Sequence, residues 1–283
     1  MYTSFFNLEE KPFDPTPSPR FLYLGEIHKE ALSLLTYGLA ERKGFVLLTG
    51  EAGTGKTAVV QAFLQDLGPS VRHVYLADPT LPADAFLSSL ASGLGLKAQL
   101  RSKASFLIQF EHYFRKFYQH HITLLFVVDN AEKISVELLE EIRLLSNIET
   151  AEEKLICIIL VGRPGLNEKL RQPLCRALFQ RITIRYHLTP LDLKGTEDYI
   201  ATRLSAAGAQ KGYTIFPKRA VKAIYRCSRG YPKMINMLAD HALACGYVQR
   251  KIKISPSIVE QTCRKIGLSK NGNVLPVRAK VGI

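Results

Sequence analysis

The chain has 283 residues, of which 47% are hydrophobic and 22% are charged, and its formal net charge is +13. This composition is typical of a globular protein of one large or two modest domains. The N-terminus lacks the basic start and apolar run of a signal peptide, and the longest apolar runs, at 124–128 and 155–161, are far shorter than the roughly 20 residues that span a bilayer. The five cysteines are scattered singly, which indicates neither a zinc site nor a disulfide framework, and we therefore expect a cytoplasmic protein.

The first 43 residues are predicted to form an N-terminal segment that packs on the core, with a proline-rich stretch at 11–20 and a helix from about Ile27 to Arg42. Apolar runs then alternate with helical patterns, and these runs lie at 44–50, 71–77, 124–129, 154–162 and 182–188. Strands that alternate with helices predict a parallel sheet covered on both faces. Residues 44–189 should therefore form an α/β core.

After residue 190 only helical patterns remain, and they lie at about 194–206, 217–228, 232–249 and 256–266. We expect residues 190–268 to form a separate helical lid, followed by a basic flexible tail at 269–283. Residues 1–189 carry 21 Lys and Arg against 20 Asp and Glu, whereas residues 190–283 carry 17 against 5. This asymmetry suggests an acidic partner of the lid, which could be DNA, an anionic membrane face or a protein; a solvated lysine-rich surface is the alternative.

Residues 50–57 read GEAGTGKT and fit the P-loop pattern G-x-x-x-x-G-K-[ST], between an apolar strand and a helical pattern. In such a loop, backbone N–H groups and the helix N-terminus face the phosphates of a nucleotide. Lys56 is predicted to reach the β- and γ-phosphates of ATP, and Thr57 to ligate Mg²⁺. The rest of the cradle consists of Gly50, Glu51, Ala52, Gly53, Thr54 and Gly55.

Asp129 ends the apolar run LLFVV and follows the P-loop in the order that nucleotide-binding sites require. A carboxylate at the end of a buried strand can hold Mg²⁺ through a water molecule. Asp129 is therefore the second predicted residue of the metal site.

With both motifs in place, residues 1–267 resemble AAA+ ATPases of the ExeA type, also called general secretion pathway protein A, and related pilus-biogenesis and transposition-associated ATPases. The resemblance rests on MYTSFFNLEEKPFDPTPSPRFLYL, ALSLLTYGLAERKGFVLLTGEAGTGKT, LLEEIRLLSNIETAEEKLICIILVGRPGL, FQRITIRYHLTPL and IYRCSRGYPKMINMLADHAL. It implies a P-loop core, a helical lid, and ATP bound between the subunits of a ring or filament. Arg181 matches the arginine finger that reaches a neighbour's γ-phosphate, with Arg176 as the reserve candidate.

The family commonly reads Asp-Glu-Ala-Gln where this chain has Asp129, Asn130, Ala131 and Glu132. The family's glutamate activates the attacking water, whereas the Asn130 amide can orient a water but cannot take up its proton. Glu132 is the nearest other carboxylate, but an extended strand would carry its Cα roughly 10 Å beyond that of Asp129, so it could help only if the chain turns back. We therefore expect ATP binding with slow hydrolysis.

Two further positions depart from the family pattern. The polar sensor, usually Gln, is Arg163, which could supply extra charge at the γ-phosphate, and the lid arginine of a Gly-x-Pro-Arg element is Lys233. A lysine keeps the positive charge but lacks the planar fork that grips phosphate in two places.

The resemblance favours an oligomeric ATPase, in the cytoplasm or at the inner membrane face, that assists assembly of a secretion or surface-filament system. One alternative is a DNA-binding AAA+ regulator of the transposition type, which the basic lid supports. The other is an ATP-gated scaffold with little turnover, which Asn130 supports. The cations Arg250, Lys251 and Lys253 are predicted to contact the acidic partner.

Overall fold

The computed structural model describes residues 2–14, 19–96, 103–150, 153–210, 212 and 214–267. The predicted tail at 269–283 lies outside the described residues. The chain divides into two compact units. The α/β unit comprises Lys29–Ala52 and Val59–Leu188, and the helical unit comprises Met1–His28, Gly53–Ala58 and Thr189–Ile283. The P-loop motif is thus divided between them.

The α/β unit contains one five-stranded parallel sheet in the order β2-β3-β4-β1-β5. The strands are β1 (Phe45–Gly50), β2 (Val71–Leu76), β3 (Thr123–Val128), β4 (Ile156–Gly162) and β5 (Ile182–Leu188). All five predicted strands are confirmed. β1 and β4 are buried along their whole length, whereas the edge strands β2 and β5 expose polar side chains. This difference follows from sequence, since FVLLTG and ICIILVG are continuously apolar while VRHVYL and ITIRYHL are not.

Twelve α-helices occur in the described residues. In chain order they are α1 (Tyr2–Phe5), α2 (Glu26–Ala40), α3 (Lys56–Gln65), α4 (Ala83–Gly93), α5 (Lys103–Gln119), α6 (Val136–Leu145), α7 (Gly165–Leu170), α8 (Arg176–Arg181), α9 (Leu193–Ala206), α10 (Lys218–Ser228), α11 (Pro232–Val248) and α12 (Pro256–Lys265). The last four match the four helical patterns predicted for the lid. In the described part of the chain, no helix is both long enough and apolar enough to cross a membrane.

The N-terminal segment differs from the sequence prediction. Residues 1–43 were expected to pack on the α/β core, but Phe6, Phe13 and Phe21 are buried in one cluster with side chains of α9 to α12. The backbone N–H of Glu9 also donates to the carbonyl of Ala207, at 2.8 Å. The physical reason is that these aromatic side chains complete the apolar core of a small helical bundle. Only the part from Lys29 onward belongs to the α/β unit.

Gly230 lies just before α11 and packs closely against the backbone of Leu191. Its φ is +77°, and a Cβ at this position would lie 1.8 Å from the carbonyl oxygen of Leu191. The Leu191 N–H donates to the carbonyl of Gly230 at 2.9 Å, so the two backbones are in direct contact. Glycine is therefore required here for both conformation and space. This contact lies immediately before Tyr231, which precedes the first residue of α11, Pro232.

Candidate nucleotide-binding site

The P-loop forms the strand–turn–helix that its sequence predicts. β1 ends at Gly50 and α3 begins at Lys56. In the turn between them, φ is +85° at Gly53 and +104° at Gly55. These values lie in the region that glycine adopts without steric cost, so both glycines are needed to shape the turn.

A cavity of about 630 Å³ opens within the helical unit beside this turn. Its P-loop wall consists of Gly53, Gly55, Lys56, Thr57 and Ala58, and its other wall of Phe13, Tyr199, Arg203, Pro232, Lys233, Met234, Asn236, Met237, Asp240 and His241. The volume is in the range of small-molecule sites. Its lining combines cations and the N-terminus of α3 with aromatic and thioether side chains, so the cavity suits a ligand with an anionic part and a flat apolar part.

Lys233 lies directly against the P-loop. Its backbone N–H donates to the carbonyl of Gly53 at 3.3 Å, and a Cβ on Gly53 would lie 2.9 Å from the Cβ of Lys233. Lys233 and Lys56 therefore line the same cavity, although they are far apart in sequence. Two ammonium groups and the α3 N-terminus form a donor set that fits phosphate oxygens.

Two polar residues of the cavity wall, Asn236 and Asp240, accept hydrogen bonds that no sequence motif indicated. The Tyr199 hydroxyl donates to Asn236 Oδ1 at 2.8 Å, and the Tyr2 hydroxyl donates to Asp240. Burial, followed by the hydrogen bond to Asp240, raises the pKa of Tyr2. Tyr2 is thus a neutral donor that fixes the carboxylate of Asp240 at the cavity wall.

Arg203 is a buried cation of the same wall. Its guanidinium donates to the carbonyls of Asp14 and Phe21, each at 3.4 Å, and lies 5.5 and 5.4 Å from the ring centroids of Phe21 and Tyr199. Carbonyl oxygens and aromatic faces together compensate a buried positive charge. Arg203 therefore attaches the N-terminal segment, including the cavity residue Phe13, to α9.

In the α/β unit, Asp129 follows β3 and is 5% exposed. Its Oδ2 accepts from the Tyr75 hydroxyl at 2.9 Å, and its Oδ1 accepts from the Asn130 N–H at 2.8 Å. Burial and the neighbouring Asp129 carboxylate raise the pKa of Tyr75, which therefore stays protonated as the donor. The carboxylate is held in one orientation by two donors.

Asn130 and Glu132 occupy a turn rather than an extended chain. Asn130 has a left-handed backbone, with φ of 52°, and its side-chain amide donates to the carbonyl of Ala77 at 2.9 Å. Residues Ala131–Lys133 form a 3₁₀ turn, which folds the chain back. The chain therefore turns back after Asn130, and the Glu132 carboxylate lies at the end of β4 beside Gly162 and Arg163.

Arg163 binds the Glu132 carboxylate. The Arg163 backbone N–H donates to Glu132 Oε2 at 3.1 Å, and the Arg163 Nε lies 3.5 Å from Glu132 Oε1. A Cβ on Gly162 would lie 3.0 Å from Glu132 Oε2, so the neighbouring glycine leaves the space for this carboxylate. The structure therefore joins two of the sequence-predicted residues as an ion pair.

Arg181 ends α8, immediately before β5, as the sequence predicts. Its Nη1 donates to Ser146 Oγ at 3.0 Å and to Asn147 Oδ1 at 2.5 Å, so residues at the end of α6 hold the guanidinium. The reserve candidate Arg176 is exposed, near Leu174, of which 76% is exposed.

Sequence reasoning missed two groups of polar residues. At the end of β1, Thr49 Oγ1 lies 3.1 Å from His187 Nδ1 and 3.5 Å from Asn167 Nδ2. In the helical unit, His28 Nε2 lies 3.0 Å from the carbonyl oxygen of Thr54. Partners separated by 26 to 138 residues leave no local pattern, so only the folded chain reveals them.

Comparisons with known proteins agree with this architecture. Residues 39–170 match the family model described as an AAA domain. Over 256 residues, which are 90% of this chain, the sequence is 39% identical to general secretion pathway protein A of Aeromonas hydrophila. The matched region spans 46% of that protein's length.

Solved structures show the same fold at low sequence identity. The ORC2 protein of Aeropyrum pernix, in its ADPNP and ADP complexes, is 16% identical with a TM-score of 0.66, over 91% of this chain and 71% of that chain. Cdc6p of Pyrobaculum aerophilum is 17% identical with a TM-score of 0.69, over 90% and 70%. The RuvB Holliday junction branch migration motor of Thermotoga maritima is 17% identical with a TM-score of 0.55, over 89% and 72%. Residues 39–170 are therefore an AAA domain, and over 90% of its length the sequence of the chain is of the general secretion pathway protein A type.

Proposed function

We propose that this chain binds ATP with Mg²⁺, hydrolyses it slowly, and works as an oligomeric assembly factor for a secretion or surface-filament system. The observation that carries nucleotide binding is the cavity shared by the P-loop and Lys233. The pathway is supported by the name of the Aeromonas hydrophila relative, of which this chain matches 46%.

Lys56 and Lys233 would neutralise the phosphates, and the N–H groups of the P-loop turn would donate to their oxygens. Phe13 and Tyr199 line the cavity, and an adenine ring can stack on aromatic side chains of this kind. Thr57 and, through water, Asp129 stay the candidates for Mg²⁺, which when bound supplies positive charge to the β- and γ-phosphates.

The attacking water would be oriented by Asn130. Its amide nitrogen is engaged with Ala77, which leaves the amide oxygen as the acceptor for a water proton. Glu132 is the candidate carboxylate for taking up that proton, although its Oε2 is already engaged by the Arg163 N–H. This arrangement supports slow turnover.

The nucleotide-binding experiment compares wild type with Lys56→Ala. Removing a charge-assisted hydrogen bond to phosphate should weaken binding of a fluorescent ATP analogue by about 10- to 100-fold, since such bonds contribute roughly 1.5–3 kcal/mol. Lys222→Ala is the matched control, because Lys222 is an exposed cation on α10, away from the P-loop cavity. Equal affinities for wild type and Lys56→Ala would contradict the assignment.

The DNA-binding alternative is favoured by one surface. Arg219, Lys222 and Arg226 recur at helical spacing on the exposed face of α10, and with Tyr225 they line a concavity of about 530 Å³. Arg226 lies 3.7 Å from Glu260. In the described part of the chain, no carboxylate lies within ion-pair distance of Arg219 or Lys222. A row of cations of this kind suits a phosphate backbone.

The α10 surface is tested with a labelled random DNA duplex and with phosphatidylglycerol vesicles at several salt concentrations. If DNA is the partner, the double variant Arg219→Gln and Lys222→Gln should bind the duplex more weakly and lower the salt slope by roughly one for each phosphate that is no longer neutralised. The comparison variant neutralises Arg250, Lys251 and Lys253, which are exposed after α11 beside Val248 and Ile252. A weakening confined to vesicles and to this second variant would favour an anionic membrane, and unchanged affinities would favour a solvated surface.

A further inference from the structure

His28 lies beneath the P-loop turn and is 3% exposed. Its Nε2 is 3.0 Å from the carbonyl oxygen of Thr54, a residue that is itself fully buried. A Cβ on Gly55 would lie 2.8 Å from the same nitrogen. The imidazole therefore fills the space directly under two residues of the phosphate-binding turn.

The hydrogen bond fixes the chemical state of the ring. A carbonyl oxygen can only accept, so Nε2 carries the proton and donates it. Among the described residues Nδ1 has no partner, which a bare acceptor nitrogen tolerates better than a buried N–H would. Burial lowers the pKa of His28, which agrees with a neutral ring. His28 is thus a single directed donor.

The direction of this bond determines the direction of the next N–H. In a trans peptide, the carbonyl of Thr54 and the N–H of Gly55 both lie in the peptide plane and point in opposite directions. A carbonyl held by His28 therefore turns the Gly55 N–H away from His28. Gly55 itself lines the cavity beside Lys56. The φ of +104° at Gly55 allows this peptide orientation, and a side chain there would collide with the ring.

We propose that His28 is a positioning residue: by holding the Thr54 carbonyl from below, it keeps the P-loop turn in the conformation that presents the Gly55 N–H to phosphate. This inference rests on the proposed nucleotide binding and adds to it a residue outside the motif. The purely structural alternative is that the ring only fills space in the core.

Three substitutions separate the two roles. His28→Gln can place its amide N–H near the position of Nε2, whereas the shorter His28→Asn carries its donor nearer the position of Nδ1. His28→Phe keeps the ring volume and removes the donor. Binding of a fluorescent ATP analogue and of tripolyphosphate, together with the melting temperature of the ligand-free protein, is measured for each variant and for wild type.

We expect His28→Gln to bind both ligands within about threefold of wild type, and His28→Asn to bind them about tenfold more weakly, because a buried carbonyl loses its donor. If His28→Phe folds, it should bind both ligands as weakly as His28→Asn does. If it does not fold, the comparison of His28→Gln with His28→Asn still distinguishes the two roles. Equal affinities for Gln and Asn variants, whether normal or reduced alike, would overturn the positioning role. If wild type itself binds neither ligand, both the proposed nucleotide binding and this inference fail. If wild type binds the ligands and the His28 variants bind them equally well, only this inference fails.

Discussion

In the α/β unit, the predicted catalytic side chains are bound to neighbours of their own unit. The pairs are Asp129 with Tyr75, Asn130 with Ala77, Glu132 with Arg163, and Arg181 with Ser146 and Asn147. In the helical unit, by contrast, Arg219 and Lys222 of α10 are exposed to solvent. Groups that act on a bond need fixed positions, whereas cations that meet a polyanion need only be accessible. Under the proposed function, the first unit supplies side chains for hydrolysis, whereas the second holds the P-loop cavity and the exposed cations that a partner could contact.

The largest effect is expected from Arg181→Ala. If Arg181 acts as an arginine finger, phosphate release should fall by about 10³-fold, the low end of the range for such residues, with ATP affinity nearly unchanged. Mixing Arg181→Ala with Lys56→Ala subunits should restore part of the activity, since some interfaces then combine an intact P-loop with an intact finger. If oligomers that are shown to contain both variants recover no phosphate release, Arg181 acts only within its own subunit, through its contacts with Ser146 and Asn147.

The next effect concerns the stability of the helical unit. Gly230→Ala should cost roughly 3 kcal/mol, because its Cβ would collide with the Leu191 backbone as well as strain φ. Gly95→Ala is the matched control in the α/β unit: its φ is +71° but a Cβ would meet nothing within 4 Å. That variant should cost about 1–2 kcal/mol, from conformation alone. Thermal unfolding followed by circular dichroism compares the two variants. Equal destabilisation would show that the close contact with the Leu191 backbone adds nothing to the cost of Gly230→Ala.

A smaller effect is expected from Asn130→Glu. A carboxylate at this position could act as a general base, a contribution of about 10²–10⁴-fold, but the new side chain loses the bond to Ala77 and must adopt a left-handed backbone. We therefore expect phosphate release to rise by only about tenfold. Glu132→Gln measured alongside should lower it to a lesser degree. If Asn130→Glu changes nothing while Glu132→Gln abolishes turnover, the base is Glu132.

The smallest effect is expected from Tyr75→Phe, which removes a hydrogen-bond donor to Asp129. Losing one hydrogen bond that orients this carboxylate should raise the Mg²⁺ concentration for half-maximal turnover by about two- to fivefold. Tyr37→Phe is the control, since Tyr37 is 50% exposed in the same unit. No difference between the two variants would mean that Asp129 needs no fixed orientation.

The sequence predicts what is encoded locally. The five strands and the four lid helices follow from apolar periodicity, and the P-loop from residue spacing. Arg163 and Glu132 were each predicted, but their pairing depends on the 3₁₀ turn after Asn130, which an extended-strand assumption excludes. His28, Tyr75 and Arg203 act through partners distant in the chain, and no motif signals such contacts. Residues 1–28 belong to the helical unit rather than to the expected α/β core. An apolar pattern indicates that a face is buried, but it does not indicate which element covers that face.

The burial of Phe6, Phe13 and Phe21 among the lid helices bears on how the protein could be dissected. A fragment that ends at Leu188 would expose the three aromatic side chains to solvent, and this exposed apolar surface would promote aggregation. A fragment that starts near Thr189 would in turn lack the aromatic part of its own core. Phe6, Phe13 and Phe21 thus share one apolar core with α9 to α12, and an experiment that separates the units must keep residues 1–28 attached to these helices.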